Sequence, residues 1–332
     1  MTNYPYPMLE RPERIWTKPT DQLRDLKVHE WVEYIGEGPI NWEEYDVTIL
    51  GAPLSKSSIS TSAASENPEA MRQAWKSFGT YNLDEDIDLA ALKVLDLGNV
   101  REHVTDIQWT QQQIREAMAA IRTYHPHTLP ITLGGDHSIT AKLLEGWKQV
   151  HTEETIGLLQ LDTHFDLRDL TDIGPANGTP VRSLVESGNV KGEHVHTIGL
   201  HGFFNAKALK DYADAKGIHY TTMKQARSEG IGNVIRNSLE ILGREVDTIY
   251  LTVDMDVLDI THNPGAPAAT PGGMFTHELF ESVQIAGAHP KVKAMDIVCL
   301  DPRKDIGEFG IKSAVHVMLS FLTGYCLRQN KK

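Results

Sequence analysis

Cysteine is nearly missing from this chain: among 332 residues, only Cys299 and Cys326 carry thiols. They fall on different predicted elements and show no zinc-type spacing, which argues against a disulfide framework and a structural cysteine–zinc site and makes the reducing cytoplasm the natural compartment. Long apolar runs are missing too, since no stretch approaches the ~20 uninterrupted apolar residues that a membrane span needs. The N-terminus carries Glu10, Arg11, Glu13 and Arg14 with no apolar run, unlike a secretory signal. Basic patches are also absent. The net charge is −13, and a nucleic-acid surface needs clustered Lys and Arg to meet phosphates. Most of that negative charge reads as a solubilising surface. Part of it is aspartate grouped in motifs, where bound cations would neutralise it. Neither a nucleic-acid partner nor a membrane is expected.

What is present is a regular alternation. Residues 1–44 are mixed, rich in Pro, Trp and charge, and read as an N-terminal arm packed on the domain. From residue 45 to 332, short apolar runs alternate with longer amphipathic stretches, as βαβ units and a parallel sheet do. The runs are Val47–Gly51, Leu92–Leu97, Leu129–Leu133, Ile156–Leu161, Val195–Leu200, Ile218–Thr222, Thr248–Val253 and Val292–Val298. They predict an eight-stranded sheet. Helices are predicted near 67–78, 108–124, 138–149, 180–187, 205–216, 231–243, 276–288 and 312–327. No repeat, low-complexity tract or linker interrupts this pattern, so a single domain is expected.

Three polar motifs follow directly on predicted strand ends: Gly134-Gly135-Asp136-His137-Ser138, Asp162-Thr163-His164-Phe165-Asp166 and Asp254-Met255-Asp256. Ligands of open α/β sheets bind at the carboxyl edge of the strands, where such motifs can converge. Any one of these residues alone reads as a turn, a helix cap or a packed histidine. Together they form a metal site. Carboxylates and imidazoles a few Å apart repel or stay costly to bury unless a cation joins them. His137, Asp162, His164, Asp166, Asp254 and Asp256 are hard to borderline donors, and their number suits two ions better than one. Two-metal sites of this kind activate water for hydrolysis. Manganese fits best, with nickel, cobalt and zinc left open by the donor types.

These motifs resemble the ureohydrolase superfamily of arginases, agmatinases, guanidinobutyrases and formimidoylglutamases. Its signatures read here as GGDHS at 134–138, DTHFD at 162–166 and VDMDVLDITHNPG at 253–265. Weaker echoes are Gly51-Ala52-Pro53, Asp96-Leu97-Gly98 and the helix start from Pro68 to Arg72. The resemblance spans about residues 45–325. It implies a three-layer α/β/α sandwich around an eight-stranded parallel sheet, and two Mn²⁺ per subunit. By the same resemblance, His137 and Asp166 would hold one ion, His164 and Asp256 the other, and Asp162 and Asp254 would bridge. Homo-oligomers, trimeric or hexameric, are implied as well.

Within the superfamily, the stretch from Gly51 to Ser60 and the run Asn177-Gly178-Thr179-Pro180-Val181-Arg182 look like the bacillus-type formimidoylglutamases. The activity so implied is hydrolysis of N-formimino-L-glutamate to glutamate and formamide, a step of histidine degradation. Asp166 would carry a proton to the leaving amine. Arg168, with Asn177 and Arg182, would hold the substrate carboxylates, and His201 would line the pocket. The blander readings are a surface pairing of Arg168 with Asp169 or Asp172, a helix-surface Arg182 and a loop histidine at 201. Arginases and agmatinases usually carry His where Asn177 stands. The family's Glu in the last strand motif is replaced by Cys299, which reads as a buried thiol, a substrate contact or a mark of changed specificity. Thr163 and Asn263 each stand where the family has Ala. A guanidine hydrolase releasing urea, or a catalytically silent paralogue, therefore stays open at this point.

Overall fold

In the computed structural model, residues 8–10, 26–36 and 44–329 are described. Most of the predicted N-terminal arm lies outside them. The main sheet has ten strands: β1 (Leu9–Glu10), β2 (Glu33–Tyr34), β3 (Val47–Ala52), β4 (Val94–Val100), β5 (Leu129–Gly134), β6 (Ile156–Leu161), β7 (Val195–Leu200), β8 (His219–Thr222), β9 (Thr248–Asp254) and β10 (Val292–Val298). The order is β1-β4-β3-β5-β10-β9-β6-β7-β8, with β2 also on β4. Only β1 is antiparallel. The eight strands expected from the sequence are β3 to β10. The two extra strands are two-residue pieces from the first 44 residues, too short to leave a periodic signature.

The long strands are apolar because both of their faces are covered. Every residue of β3, β5, β6, β7 and β9 is buried, as expected where helices pack on both sides of a parallel sheet. Side chains alternate between two cores. Ile249, Leu251 and Val253 join one with helices α1 (Asn67–Ala74), α7 (Ile231–Glu245), α8 (Thr276–Gly287) and α9 (Phe309–Gln329). Tyr250 joins the other with α2 (Ile107–Tyr124), α3 (Ser138–Val150), α4 (Pro180–Glu186) and α5 (Lys207–Lys216). A further helix, α6 (Met223–Glu229), precedes α7. The result is a three-layer α/β/α sandwich.

The helix starts follow local chemistry. Pro68 sits in the first turn of α1, where its missing N–H costs nothing. The Asp106 side chain caps α2 by accepting from the Trp109 N–H. Helix α9 is long and apolar enough to cross a membrane by length and composition, but 72% of that stretch is buried inside the protein. It is a core helix, apolar all round because it is enclosed.

One feature of the strand order places the site. Chain neighbours β5 and β6 are separated in the sheet by β10 and β9. The sheet neighbours β5 and β10 lead to helices on opposite faces, α3 and α9, and a crevice opens between the loops that leave them.

Candidate metal centre

Each ligand is placed by the turn that ends its strand. After β5 the chain passes close against the loop that follows β3: the Asp136 N–H donates to the Leu54 carbonyl at 2.6 Å. A Cβ on Gly135 would lie 2.0 Å from that same oxygen, so only glycine fits. The Asp136 carboxylate accepts from Ser57 Oγ at 2.8 Å and from the Ser138 N–H at 3.0 Å. That turn sets His137 at the start of α3, facing the crevice. At the end of β6, Asp166 takes a left-handed backbone with φ of 54°, uncommon for a residue with a Cβ. The strained turn curls Asp162, His164 and Asp166 round one point.

The three turns bring all six predicted ligands together. One group is His137, Asp162, Asp166 and Asp254, and the other is Asp162, His164 and Asp256. Asp162 belongs to both groups, while Asp254 falls in the first alone. His137 Nδ1 lies 2.7 Å from Asp166 Oδ2 and 3.2 Å from both Asp162 Oδ2 and Asp254 Oδ2. His164 Nδ1 lies 3.0 Å from Asp256 Oδ2 and 3.5 Å from Asp162 Oδ1. Backbone and side-chain donors aim the carboxylates. Asp162 accepts from Gln160 Nε2 and from the His164 N–H, both at 2.6 Å, and Asp254 accepts from the Asp256 N–H at 2.9 Å.

Beneath the cluster runs a polar row that the sequence reading missed. Thr132, Asp296, Thr252, Gln160 and Thr197 stand side by side in register across β5, β10, β9, β6 and β7, and all are buried. Asp296 accepts from Thr140 Oγ1 at 2.8 Å, Tyr250 OH at 3.0 Å and Thr252 Oγ1 at 2.5 Å. Thr252 gives its one proton to Asp296, so its oxygen is left to accept from His137 Nε2–H at 2.9 Å. That hydrogen bond turns His137 Nδ1 toward the carboxylates, as a second-sphere partner does for a metal-ligating imidazole. A visible signal existed: Gln160 and Thr252 are polar residues in apolar strands, each two positions before a ligand aspartate.

The residues fit a pair of divalent cations. His137 Nδ1 and Asp166 Oδ2 are both buried without an aligned hydrogen bond, although they lie 2.7 Å apart. Such an arrangement is costly unless a positive charge sits between the groups. The acid–base balance says the same. Burial, then the charge of Asp162, pushes the Asp166 carboxyl up to about 6. Burial, then Asp256 and Asp162, raises Asp254 well above the usual carboxylate range. For His164, burial opposes protonation but Asp256 and Asp162 outweigh it, and its pKa is pushed up to about 12. Protons thus do the neutralising that cations do better. The donors are nitrogen and oxygen only, which suits manganese and similar ions.

The cluster opens on a cleft of about 190 Å³ lined by His164, Asp166, Asp254 and Asp256 on its floor and by Ser60, Arg168, Asn177 and Phe204 among its wall residues. Arg168 therefore reaches the cleft. Asp169, one of the partners suggested for it by the sequence, is instead paired with Arg182 at 2.8 Å. Asn177 lines the cleft too, with its Oδ1 held by the Ile59 N–H at 2.8 Å. Arg182 is not brought to the site. Its guanidinium pairs with Asp169 and Glu186 and lies over the Tyr212 ring, 4.4 Å from the centroid, because the first turn of α4 points it outward. His201 is not among the cleft residues either. Its Nδ1 faces the Gly199 carbonyl at 2.8 Å and its Nε2 faces Thr270 Oγ1 at 2.9 Å, so both nitrogens are engaged. It borders a separate groove with Phe165, Tyr220 and Lys207. Cys299 ends β10 with a left-handed φ of 61° and lies buried beneath the cluster. Burial, then the charges of Asp254 and Asp256, raises its thiol well above the ordinary range, which keeps it protonated and a poor nucleophile.

Comparison with known proteins follows from this geometry. The arginase family profile matches residues 45–324. The formimidoylglutamase of Halalkalibacterium halodurans is 44% identical over 280 residues, which cover 84% of this chain and 87% of that one. The crystal structure of formimidoylglutamase from Bacillus subtilis superposes with a TM-score of 0.88 at 35% identity, covering 95% of this chain and 96% of that one. A crystal structure of Trypanosoma cruzi formiminoglutamase with Mn²⁺ shares the fold, with a TM-score of 0.79 at 21% identity over 86% of this chain and 94% of that one.

Proposed function

Because the chain belongs to the arginase family, we propose that it hydrolyses the amidine C–N bond of N-formimino-L-glutamate, giving glutamate and formamide. The observation that carries this reading is the joining of a two-cation ligand set to a cleft whose wall presents Arg168. Among the described residues that guanidinium has no hydrogen bond or ion pair. The named relatives are formimidoylglutamases, and a substrate with carboxylates suits a cleft with one free cation.

His137, Asp166 and Asp254 would hold one manganese ion and His164 and Asp256 the other, with Asp162 within reach of both. A cation pair held there would supply a water of near-neutral pKa and a Lewis acid for the amidine. The chain's own groups do the rest. Arg168, beside Asn177, holds a substrate carboxylate through charge-assisted hydrogen bonds and so sets the amidine carbon over the floor of the cleft. Water adds to that carbon, the bond to the glutamate nitrogen breaks, and formamide leaves with the oxygen. Asp166, whose carboxylate lines the floor of the cleft, would take the proton from water and pass it to the departing amine. The two free buried thiols fit a reducing compartment such as the cytoplasm.

The test is a panel of amidines and guanidines offered to the manganese-loaded protein and scored for formamide, urea and ammonia. Formamide and glutamate from N-formimino-L-glutamate are expected. Urea from a guanidine with no formamide would overturn the substrate. In the same assay Arg168→Ala should raise KM by ~10-fold or more through loss of a charged hydrogen bond, and an unchanged KM would remove Arg168 as the anchor.

A further inference from the structure

The Arg168 side chain lies in a cradle whose parts are tied back to the metal motif. Its peptide N–H donates to the Gly178 carbonyl at 3.0 Å, which brings the segments at 168 and 178 together. Gly178 has no left-handed φ, so its backbone does not call for glycine. Space does. A Cβ on Gly178 would lie 2.9 Å from Arg168 Cδ, 3.3 Å from Arg168 Nε and 2.9 Å from Ile59 Cδ1. Both neighbours are flexible side chains, and Ile59 is 52% exposed, so the fold can absorb a methyl group only by moving them. Asn177, the residue before Gly178, ties this segment to the loop after β3. Its N–H donates to the Ser57 carbonyl at 3.1 Å and its Oδ1 accepts from the Ile59 N–H at 2.8 Å. Ser57 Oγ in turn donates to Asp136 Oδ2 at 2.8 Å, one residue before His137. Hydrogen bonds thus connect the metal motif, the Ser57–Ile59 loop and the surface along which the Arg168 stem lies. The plain alternative is that Gly178 is a small residue in a turn with no bearing on Arg168.

We propose that Gly178 is a positioning residue: its missing side chain lets the Arg168 stem lie where the guanidinium sets the reach between the metal centre and the carboxylate anchor. The cleft then selects amidines whose carboxylate stands at that one distance. This inference rests on Arg168 being the anchor of the proposed function.

The experiment compares Gly178→Ala, Arg168→Ala, Ile59→Ala and the doubles Gly178→Ala/Arg168→Ala and Gly178→Ala/Ile59→Ala, all manganese-loaded, with N-formimino-L-glutamate as substrate. Thermal unfolding and bound-cation content confirm that each variant is folded and filled. Gly178→Ala is expected to raise KM by ~10-fold, the scale of one misplaced charged hydrogen bond, with a smaller loss in kcat. Calorimetric binding of glutamate to the metal-free protein should weaken in parallel. The Arg168 double should be no worse than Arg168→Ala alone, because the glycine acts through the arginine. An unchanged KM in Gly178→Ala, an equal further rise in the Arg168→Ala background, or full rescue by Ile59→Ala would overturn the positioning role while leaving the anchor in place. An unchanged KM in Arg168→Ala itself would remove the anchor, and this inference with it.

Discussion

The floor and the wall of the cleft are built differently. On the floor the ligands Asp162, Asp166, Asp254, Asp256 and His137 are all buried, and a further donor aims each of Asp162, Asp254 and Asp256. The wall stands on loops. Arg168 is exposed, Phe204 is 40% exposed and Ile59 52%, and among the described residues the guanidinium has no hydrogen bond or ion pair. The difference separates two tasks. Chemistry needs ligands fixed within fractions of an ångström, which rigid strand ends and a buried polar row supply. Recognition, in the proposed function, falls to loops that can be altered without disturbing the core.

That contrast can be broken or sharpened by experiment. The largest effect is expected at Asp162, the ligand shared by both groups. Asp162→Ala should lower kcat by ~10³-fold or more, since two-cation activation of water is lost, and metal analysis should find fewer than two ions per chain. Full activity with two ions bound would show that the floor is not what does the chemistry.

Next comes the support under the floor. Thr252→Val removes the hydroxyl between Asp296 and His137. Manganese titration of the metal-free protein should show ~10–100-fold weaker binding at the His137 position, the usual cost of losing such a partner, and Thr252→Ser should restore it. Equal affinity in all three proteins would mean that the polar row is only packing.

Chelation tests the floor by pH. Asp166 has its folded pKa pushed up to about 6 from an ordinary 3.8. In the metal-free protein this group therefore adds stability below its ordinary value and loses it as pH rises through about 6. A cation has to displace that proton, so the rise in Tm on adding manganese should be large at neutral pH and shrink as pH falls through about 6. A pH-independent rise would contradict the proton-for-cation exchange.

The smallest effect is expected at Arg182, which faces away from the cleft. Arg182→Ala should leave kcat/KM within about twofold and cost less than ~1 kcal/mol in unfolding free energy, the range of a partly exposed ion pair. A large rise in KM would move the recognition surface outward and blur the contrast.

How much of this was legible beforehand follows the same division. Most of β3 to β10 were readable because they are apolar runs bounded by turns, the edge strand β8 (His219–Thr222) being the polar exception, and the six ligands because each group ends such a run. The polar row was harder to see. Thr252, Gln160 and Asp296 are single residues in their strands, and only the register Gln160–Thr252–Asp296 makes them one structure. Of the two arginines offered by the sequence as carboxylate contacts, Arg168 lines the cleft and Arg182 does not. What parts them is that Asp169 and Glu186 flank one, while Gly178 makes room for the other.

From the chain alone came the βαβ pattern of a parallel sheet and the list of acids and imidazoles that meet in one cluster, because both depend on short-range periodicity and on what stands at a strand's end. Tertiary structure decided which nitrogen of His137 faces the carboxylates, which arginine reaches the cleft, and that Cys299 stays protonated beneath it. Those outcomes depend on contacts between residues far apart in the chain, set by strand register and loop packing that no local pattern encodes.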